Sequence, residues 1–287
     1  MMSFRQAMNP TNLMNTPNIT SDDPMNGAHC CLICRKEIKR LNLTLMGRPF
    51  RPLPVCNCVK ENFFREERER ELAEKRARIL RIYGDGLMDE ELKRASFANF
   101  EQRTGTENGY KIAKMFVEKF TEQDAGLYLF GPVGNGKSHL AASIHHQLLD
   151  QGYASVFINV NLLFRKLKST FGSNSQKSDF DYIQAAMQCE ILTLDEIGLK
   201  PLSEYEFGVL YDILDGRKGK ITNFTSNLDF KRLREWLSQD KDGRELDPDS
   251  RAFDRIVGGT LPIRFQAESS YREFKLQQRL KALQEVI

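Results

Sequence analysis

From about residue 97 onward, short apolar runs alternate with segments in which apolar residues recur at helical spacing. The apolar runs predict β-strands over 126–131, 155–160, 190–198 and 220–227, and a fifth strand over 260–265. The segments between them predict α-helices over 137–151, 161–171, 179–188, 203–216, 229–239 and 250–257. Strands that alternate with helices are typical of a parallel sheet covered by helices. The pattern therefore predicts an α/β domain over 97–287.

The first third of the chain lacks this alternation. Residues 1–28 are rich in Asn, Met, Thr and Pro without periodicity, which predicts a disordered tail. Residues 60–81 include 14 charged residues out of 22, with acidic residues four positions before basic ones, an order that stabilises a helix. They predict a solvated spacer helix that ends at Gly84. We therefore predict a cysteine-rich module with its charged helix over 29–83 and a linker over 84–96.

Composition narrows the class of protein without identifying it. The 287 residues are 40% hydrophobic and 28% charged, which is typical of a globular protein. The net charge of +3 gives no overall attraction to nucleic acid, so any such site must be a local patch. The sequence has no apolar run as long as a membrane helix and no signal-peptide core at its N-terminus. We expect a cytoplasmic protein that does not bind membranes.

The strongest chemical signal is the segment GPVGNGKS, which follows the first predicted strand of the α/β domain and opens a helix. Glycines in such a loop let backbone N–H groups turn inward around a phosphate, and the helix N-terminus adds partial positive charge. A lysine here reaches the β- and γ-phosphates, and the following serine hydroxyl reaches Mg²⁺. A glycine-rich turn with an incidental lysine is the alternative. We expect nucleotide contacts from Gly131, Pro132, Val133, Gly134, Asn135, Gly136, Lys137, Ser138 and His139.

Polar residues end two further predicted strands. Asp195 and Glu196 follow the apolar run Ile191–Leu194, and Asn227 ends the strand over 220–227. We expect Asp195 to orient the Mg²⁺ shell together with Ser138, and Glu196 to polarise a water in line with the γ-phosphate. Asn227 is expected to hold that water. The alternatives are a helix cap for the acidic pair and a plain strand-to-turn asparagine.

Two arginines lie four residues apart in the segment SRAFDRI, so Arg251 and Arg255 share one face of the predicted helix. An arginine that reaches the γ-phosphate of a neighbouring subunit would stabilise charge in the transition state, and this role requires self-association. From spacing alone, a surface ion pair that involves Asp254 is the favoured interpretation.

Five of the six cysteines lie between positions 30 and 58, which suggests a metal site before a disulfide in a reducing compartment. Two pairs stand out, and thiolates at this spacing suit Zn²⁺: Cys31 with Cys34, and Cys56 with Cys58. The turn-rich gap between the pairs can form a hairpin that brings them together. His29 and Cys30 are spare ligands, and four reduced cysteines in a small core are the alternative.

A basic segment after the second strand of the α/β domain, FRKLK over 164–168, is the candidate for single-stranded DNA. Its basic residues can meet phosphates, and Phe164 or Phe171 can stack on bases. An amphipathic helix with a solvated basic face is an equally good interpretation. His145 and His146 are interpreted as packing and surface residues, and Trp236 as a core residue.

Together these motifs give the chain a family resemblance. The run from about Phe97 to Arg272, about 60% of the chain, resembles the AAA+ ATPase domain of bacterial and phage helicase loaders of the DnaC/DnaI family. It is also similar to the IstB transposition ATPases. The matching segments are GLYLFGPVGNGKSHLAASI, LDEIG, TSNLDF, and SRAFDRI followed by SSYR.

The resemblance implies a AAA+ sheet of the ASCE P-loop type, with ATP, Mg²⁺ and, in the N-terminal module, Zn²⁺ as cofactors. It implies an ATPase that binds a DnaB-type ring helicase through the zinc module and places it on single-stranded DNA. It also implies finger and sensor roles among Arg251, Arg255 and Arg272, without assigning them. The alternatives are an IstB-type helper that acts on duplex DNA with a transposase, and a non-enzymatic adaptor.

Overall fold

The computed structural model describes residues 19–22, 29–84, 87–170, 178–267 and 270–284. Most of the predicted tail and Phe171 lie outside these residues. Contacts between Cα atoms divide the chain into two compact units, Met1–Glu74 and Lys75–Ile287. Among the described helices, none combines the length and the apolar composition that crossing a membrane requires.

The first unit is built from short strands and the start of a long helix. Its strands are β1 (Ile19–Asp22), β2 (His29–Cys31), β3 (Glu37–Ile38), β4 (Leu43–Leu45) and β5 (Arg48–Phe50). Antiparallel pairing gives a sheet in the order β1-β2-β3 and a separate β4-β5 hairpin. The prediction of a disordered tail is wrong for β1, because the β-branched Ile19 and Thr20 favour a strand and β2 offers an edge to pair with.

The charged helix, α1 (Asn57–Tyr83), is longer than predicted and enters the second unit. Its buried residues are Ile79 and Tyr83, one turn apart, and both belong to the core of that unit. Arg76 adds a bidentate pair to Glu190, with distances of 2.7 and 2.6 Å. The last turns of α1 are therefore packed rather than solvated, and the compact unit begins before the predicted linker, at Lys75.

The second unit is built on a five-stranded parallel sheet, as predicted. Its strands are β6 (Gly126–Phe130), β7 (Ser155–Asn159), β8 (Ile191–Ile197), β9 (Ile221–Ser226) and β10 (Thr260–Arg264). Their order across the sheet is β10-β6-β9-β8-β7, with every neighbouring pair parallel. Parallel strands align their carboxyl ends, so the segments that follow β6, β9 and β8 meet along one edge.

Eight described α-helices follow α1, and those that pack against the sheet cover both of its faces. The eight helices are α2 (Glu107–Glu118), α3 (Lys137–Asp150), α4 (Val160–Thr170), α5 (Asp179–Gln188), α6 (Glu204–Gly216), α7 (Phe230–Ser238), α8 (Arg251–Gly258) and α9 (Tyr271–Gln284). Side chains alternate along each strand, so Leu127 and Leu129 join one buried cluster and Tyr128 joins the other. Six of these helices match the predicted ones within one or two residues, whereas α2 was not predicted.

Candidate functional site

The predicted phosphate loop occupies the turn between β6 and α3. Because β9 lies between β6 and β8, Asn227 at the end of β9 falls between this loop and the Asp195–Glu196 pair. One cleft is lined by the loop, by Glu196 and by Asn227. Topology thus brings together three motifs that lie far apart in the sequence.

The glycines of the loop have conformations and neighbours that exclude a side chain. Gly131 has a φ of 137°, and a Cβ there would lie 2.2 Å from the carbonyl oxygen of Phe265. Gly136 has a φ of 82°, and its Cβ would lie 2.5 Å from the Phe100 ring. Positive φ turns backbone N–H groups toward the inside of the loop, which suits it to an anion.

Lys137 is buried at the mouth of the loop. Its Nζ donates to the carbonyl oxygens of Gly131 and Pro132 at 2.8 and 2.7 Å, and to Oδ1 of Asn227 at 3.0 Å. Burial lowers the pKa of Lys137 to about 8, although the carboxylates of Asp195 and Glu196 favour the charged form. An ammonium held by three neutral acceptors in a buried site is well placed to take a phosphate anion.

Asp195 is buried at the end of β8, where its Oδ1 accepts from the Thr225 hydroxyl at 2.5 Å. Burial raises its pKa to about 6, and the hydroxyls of Thr225 and Ser138 act in the opposite direction. Among the described residues, the second oxygen, Oδ2, has no hydrogen-bond partner. A buried carboxylate oxygen without a partner, close to a serine hydroxyl, matches the oxygen ligands that Mg²⁺ prefers, so Asp195 and Ser138 fit the ion.

Glu196 sits on an irregularity in β8. The pairing of β8 with β9 shifts between Leu194 and Ile197, and Glu196 has a φ of 58°. Its backbone N–H donates to the Thr225 hydroxyl at 2.9 Å instead of to a strand carbonyl. Its exposed carboxylate accepts from Nδ2 of Asn159, at the end of β7, at 3.0 Å. The bulge therefore turns Glu196 toward the cleft while Asp195 stays buried.

The segment before α2 closes the cleft on the side of the phosphate loop. Phe100 packs edge-on against His139, whose Nε2 lies 3.1 Å from the carbonyl oxygen of Ser96. Burial lowers the pKa of His139, which favours the neutral imidazole. Arg103 donates to the carbonyl oxygen of Gly134 at 2.9 Å. His139 thus anchors this segment, while Tyr271 and Arg272 line the same cleft.

Arg251 and Arg255 do not line this cleft. Arg251 pairs with Asp249 at 2.8 Å and is exposed, whereas Arg255 pairs with Asp215 on α6. The prediction of an ion pair with Asp254 is wrong, because the carboxylates that face these arginines come from the preceding loop and from a neighbouring helix. Their action on the nucleotide of a neighbouring subunit stays a prediction.

The four predicted zinc ligands come together in the first unit. The Sγ atoms of Cys31 and Cys58 lie 3.4 Å apart, those of Cys34 and Cys56 3.5 Å apart, and all four lie within 4.8 Å of one another. Backbone hydrogen bonding from Cys34 lowers the pKa of Cys31 to about 6, while burial raises that of Cys58 to about 12. Four thiols around one point fit tetrahedral Zn²⁺.

The basic segment after β7 differs from the prediction in one respect. Phe164 is buried in the core and cannot stack on a base, because the apolar face of α4 turns it toward the sheet. Arg165 and Lys166 are exposed, and Lys168 pairs with Glu206 at 2.8 Å. Phe171 and residues 172–177 lie outside the described part of the chain.

Two sets of contacts within the site were not predicted from the sequence. Thr225 bridges Asp195 and the Glu196 amide, and Asn159 holds the Glu196 side chain. Each is a polar residue at or near the carboxyl end of a buried strand, the same signal that pointed to Asp195.

The comparisons with known proteins agree with this geometry. Residues 61–281 match the family model for the IstB-like ATP binding protein. The replicative helicase loader DnaC of Buchnera aphidicola subsp. Acyrthosiphon pisum is 28% identical over 204 residues, which cover 70% of this chain and 78% of that protein. DnaC of Escherichia coli K12 is 29% identical over 178 residues, 61% of this chain and 68% of that protein.

The crystal structure of DnaI is similar in fold as well as in sequence. It is 28% identical, with a TM-score of 0.52 over 62% of this chain and 95% of that chain. The predicted AAA+ fold is therefore confirmed. Because the family model spans more than half of the residues, the chain belongs to the IstB-like ATP-binding protein family.

Proposed function

We propose that the protein is an ATP-dependent helicase loader that binds a DnaB-type ring helicase and places it on single-stranded DNA at the start of replication. One observation carries the proposal. Proteins named as replicative helicase loaders are similar to this chain over 78% of the length of the first of them, and the chain has a cleft lined by the phosphate loop, Glu196 and Asn227. Such a role places the protein in the cytoplasm.

Each group in the cleft has a proposed part in hydrolysis. Lys137 holds the β- and γ-phosphates, and Asn227, which now accepts from Lys137, is close enough to orient a water beside the γ-phosphate. Glu196 polarises that water as general base. Ser138 and Asp195 would hold Mg²⁺, which, when bound, supplies positive charge to the phosphate oxygens.

The Asn159–Glu196 hydrogen bond supports slow, gated hydrolysis. While Nδ2 of Asn159 donates to the carboxylate, one of its oxygens is engaged and cannot accept a hydrogen bond from the attacking water. Asn159 also accepts from the backbone of Asn161 and Leu162 at the start of α4, which carries the exposed Arg165 and Lys166. Binding of single-stranded DNA to this helix can therefore change the position of Glu196.

The position of the two arginines outside their own cleft supports a proposal of self-association. Because Arg251 and Arg255 do not line their own cleft, we propose that one of them completes the cleft of a neighbouring subunit, with Arg272 acting from the same chain. The cysteine cluster, with Zn²⁺ bound, organises the unit proposed to bind the helicase.

The matching family model gives a second candidate, an IstB-type helper that acts on duplex DNA with a transposase. The similarity to DnaC and DnaI favours the loader. The two candidates differ in partner: a loader binds a ring helicase, whereas a transposition helper assembles on duplex DNA.

Size-exclusion chromatography with light scattering separates them. The full chain is mixed with a DnaB-type helicase from the same source, with and without ATP, and in parallel with duplex DNA. We expect a stable complex with the helicase that the double variant Cys31→Ser/Cys34→Ser loses. No helicase complex, together with ATP-dependent assembly on duplex DNA, would favour the transposition helper. Equal zero ATPase rates for wild type and Glu196→Gln would favour an adaptor.

A further inference from the structure

We propose that the β4-β5 hairpin of the first unit is a docking element that inserts its apolar tip into an apolar pocket rimmed by carboxylates on the protein partner. This inference rests on the proposed function in one respect, because it takes that partner to be the ring helicase. It adds which residues of the hairpin make the contact and what kind of surface they require on the partner.

The hairpin presents an unpartnered apolar face. Register pairs Leu43 with Phe50 and Leu45 with Arg48, so Leu43, Leu45 and Phe50 share one face. All three are exposed, Leu45 by 66%. Exposed apolar residues that stand together in this way mark surfaces that bind other proteins.

Its tip has an unusual residue in a strained conformation. Met46 has a φ of 49° and Gly47 a φ of 76°, so these two residues form the left-handed turn that is typical of two-residue hairpin loops. Asn, Asp or Gly usually occupies the first of these positions, because other side chains crowd the backbone there. Met46 is nevertheless present and is 97% exposed. Met46 keeps a strained backbone conformation although its side chain is almost fully exposed, which points to a contact with another molecule.

The base of the hairpin is fixed. The N–H of Leu41 donates to the carbonyl oxygen of Pro52 at 2.9 Å, and the Arg40 guanidinium donates to that of Arg51 at 3.2 Å. A second Arg40 nitrogen lies 3.2 Å from Nε2 of His29, on the strand that ends at Cys31. These contacts hold the base of the hairpin and link it to β2, which lowers the entropy lost when the tip binds.

Charge and composition define the partner. Residues 41–55 contain two charged residues, Arg48 and Arg51, and no acidic one. Met, Phe and Arg are enriched in protein–protein interfaces, whereas Lys, Asp and Glu are depleted there. Leu43, Leu45 and Met46 are aliphatic and cannot stack on bases, and Phe50 alone can do so, which argues against single-stranded nucleic acid as the main partner of the hairpin. The complementary surface is an apolar pocket with acidic side chains at its rim.

The test measures the affinity of the full chain for the ring helicase, by titration against a fluorescently labelled helicase. Met46→Asn removes the apolar tip and places a residue in the turn that favours its backbone conformation, so this variant is expected to fold at least as well as the wild type. Leu45→Ser removes the neighbouring contact, and Arg48→Glu reverses the charge beside it. The matched control is Met115→Gln, which changes a half-exposed methionine on α2 in the other unit.

We expect at least a tenfold loss of affinity for Met46→Asn and a larger loss for its combination with Leu45→Ser. Arg48→Glu should lose affinity too. High salt should also weaken binding of the wild type, because it screens the charge of Arg48. ATPase rate, zinc content and thermal midpoint stay at wild-type values. Unchanged helicase affinity in the hairpin variants, while the wild type binds, overturns the inference and leaves the loader function standing. Loss of self-association or of DNA binding instead, with the helicase complex intact, overturns it too. If the wild type binds no helicase, the proposed function itself fails.

Discussion

The Thr225 side chain connects two of the groups proposed to act in hydrolysis. Its hydroxyl donates to Oδ1 of Asp195 at 2.5 Å and accepts from the N–H of Glu196 at 2.9 Å. One buried group thus fixes the proposed Mg²⁺ ligand and the bulge that presents the proposed general base. Thr225→Val has nearly the same shape, and it removes both hydrogen bonds without leaving a cavity.

The expected cost follows from these two contacts. A hydrogen bond to a charged group is worth about 1.5–3 kcal/mol, and a buried N–H left without a partner costs about 1–3 kcal/mol. Because Thr225 is buried, water cannot replace the hydroxyl, so Thr225→Val should lose about 3–5 kcal/mol at pH 8. The Thr225 hydroxyl lowers the pKa of Asp195, so its contribution is present when Asp195 is ionised and falls as pH drops through about 6. The loss should therefore be smaller at pH 5.

Denaturant unfolding of the metal-free protein at pH 8 and pH 5 checks this reasoning, together with the ATPase rate at pH 8. The control, Thr225→Ser, keeps the hydroxyl and should lose about 1 kcal/mol for the methyl group, with most of the ATPase activity retained. Equal losses for the Val and Ser variants, or a loss for Val that does not change with pH, would refute the hydrogen-bond argument.

Three further predictions follow from the buried charges and the thiols. Asp195→Asn should stabilise the metal-free protein by about 3 kcal/mol above pH 6 and by nothing below pH 4, because burial raises the pKa of Asp195 to about 6 and so disfavours the ionised carboxylate. Urea unfolding at both pH values measures the difference, and equal stability of the variant and the wild type above pH 6 contradicts the prediction. Binding of an ATP analogue should take up a proton above pH 8, because the pKa of about 8 leaves Lys137 partly neutral in the free protein. Calorimetry in two buffers of different ionisation enthalpy detects this proton uptake, and a binding enthalpy that does not depend on the buffer argues against it. Chelation of Zn²⁺ should raise hydrogen exchange over residues 29–58 and leave binding of the analogue unchanged, whereas a purified protein without zinc would exclude the metal site.

The sheet could be predicted from the sequence because β6, β7 and β8 are apolar runs with polar or glycine-rich ends, and because helical segments separate all five strands. The helix α6 was equally clear, since Ser203 caps it together with Glu206. The helix α2 was missed because two of its four buried residues, Gly109 and Ala113, are too small to give a clear apolar pattern. The packing of α1 was missed because Ile79 and Tyr83 are its buried residues, and two apolar residues after a long charged segment do not make a recognisable apolar face.

The site was predictable where the chemistry needs a fixed local pattern. Lys137 and Asp195 follow strands whose carboxyl ends meet, so their motifs were enough to place them. The partners of Arg255 and of Glu196 depend on which elements become neighbours: Asp215 comes from another helix and Asn159 from another strand. Sequence spacing carries no information on such pairs, and the same is true of the two contacts of Thr225.

The central claim is that ATP hydrolysis in this cleft drives a ring helicase onto single-stranded DNA. The most direct test is a loading assay on circular single-stranded DNA coated with single-strand binding protein, because a ring cannot thread onto a circle. Unwinding of an annealed fluorescent strand by the cognate DnaB-type helicase reports loading. We predict rapid unwinding with the wild-type protein and ATP, and only the background rate with Lys137→Ala. Equal unwinding with the wild type, with Lys137→Ala and without either protein would contradict the account.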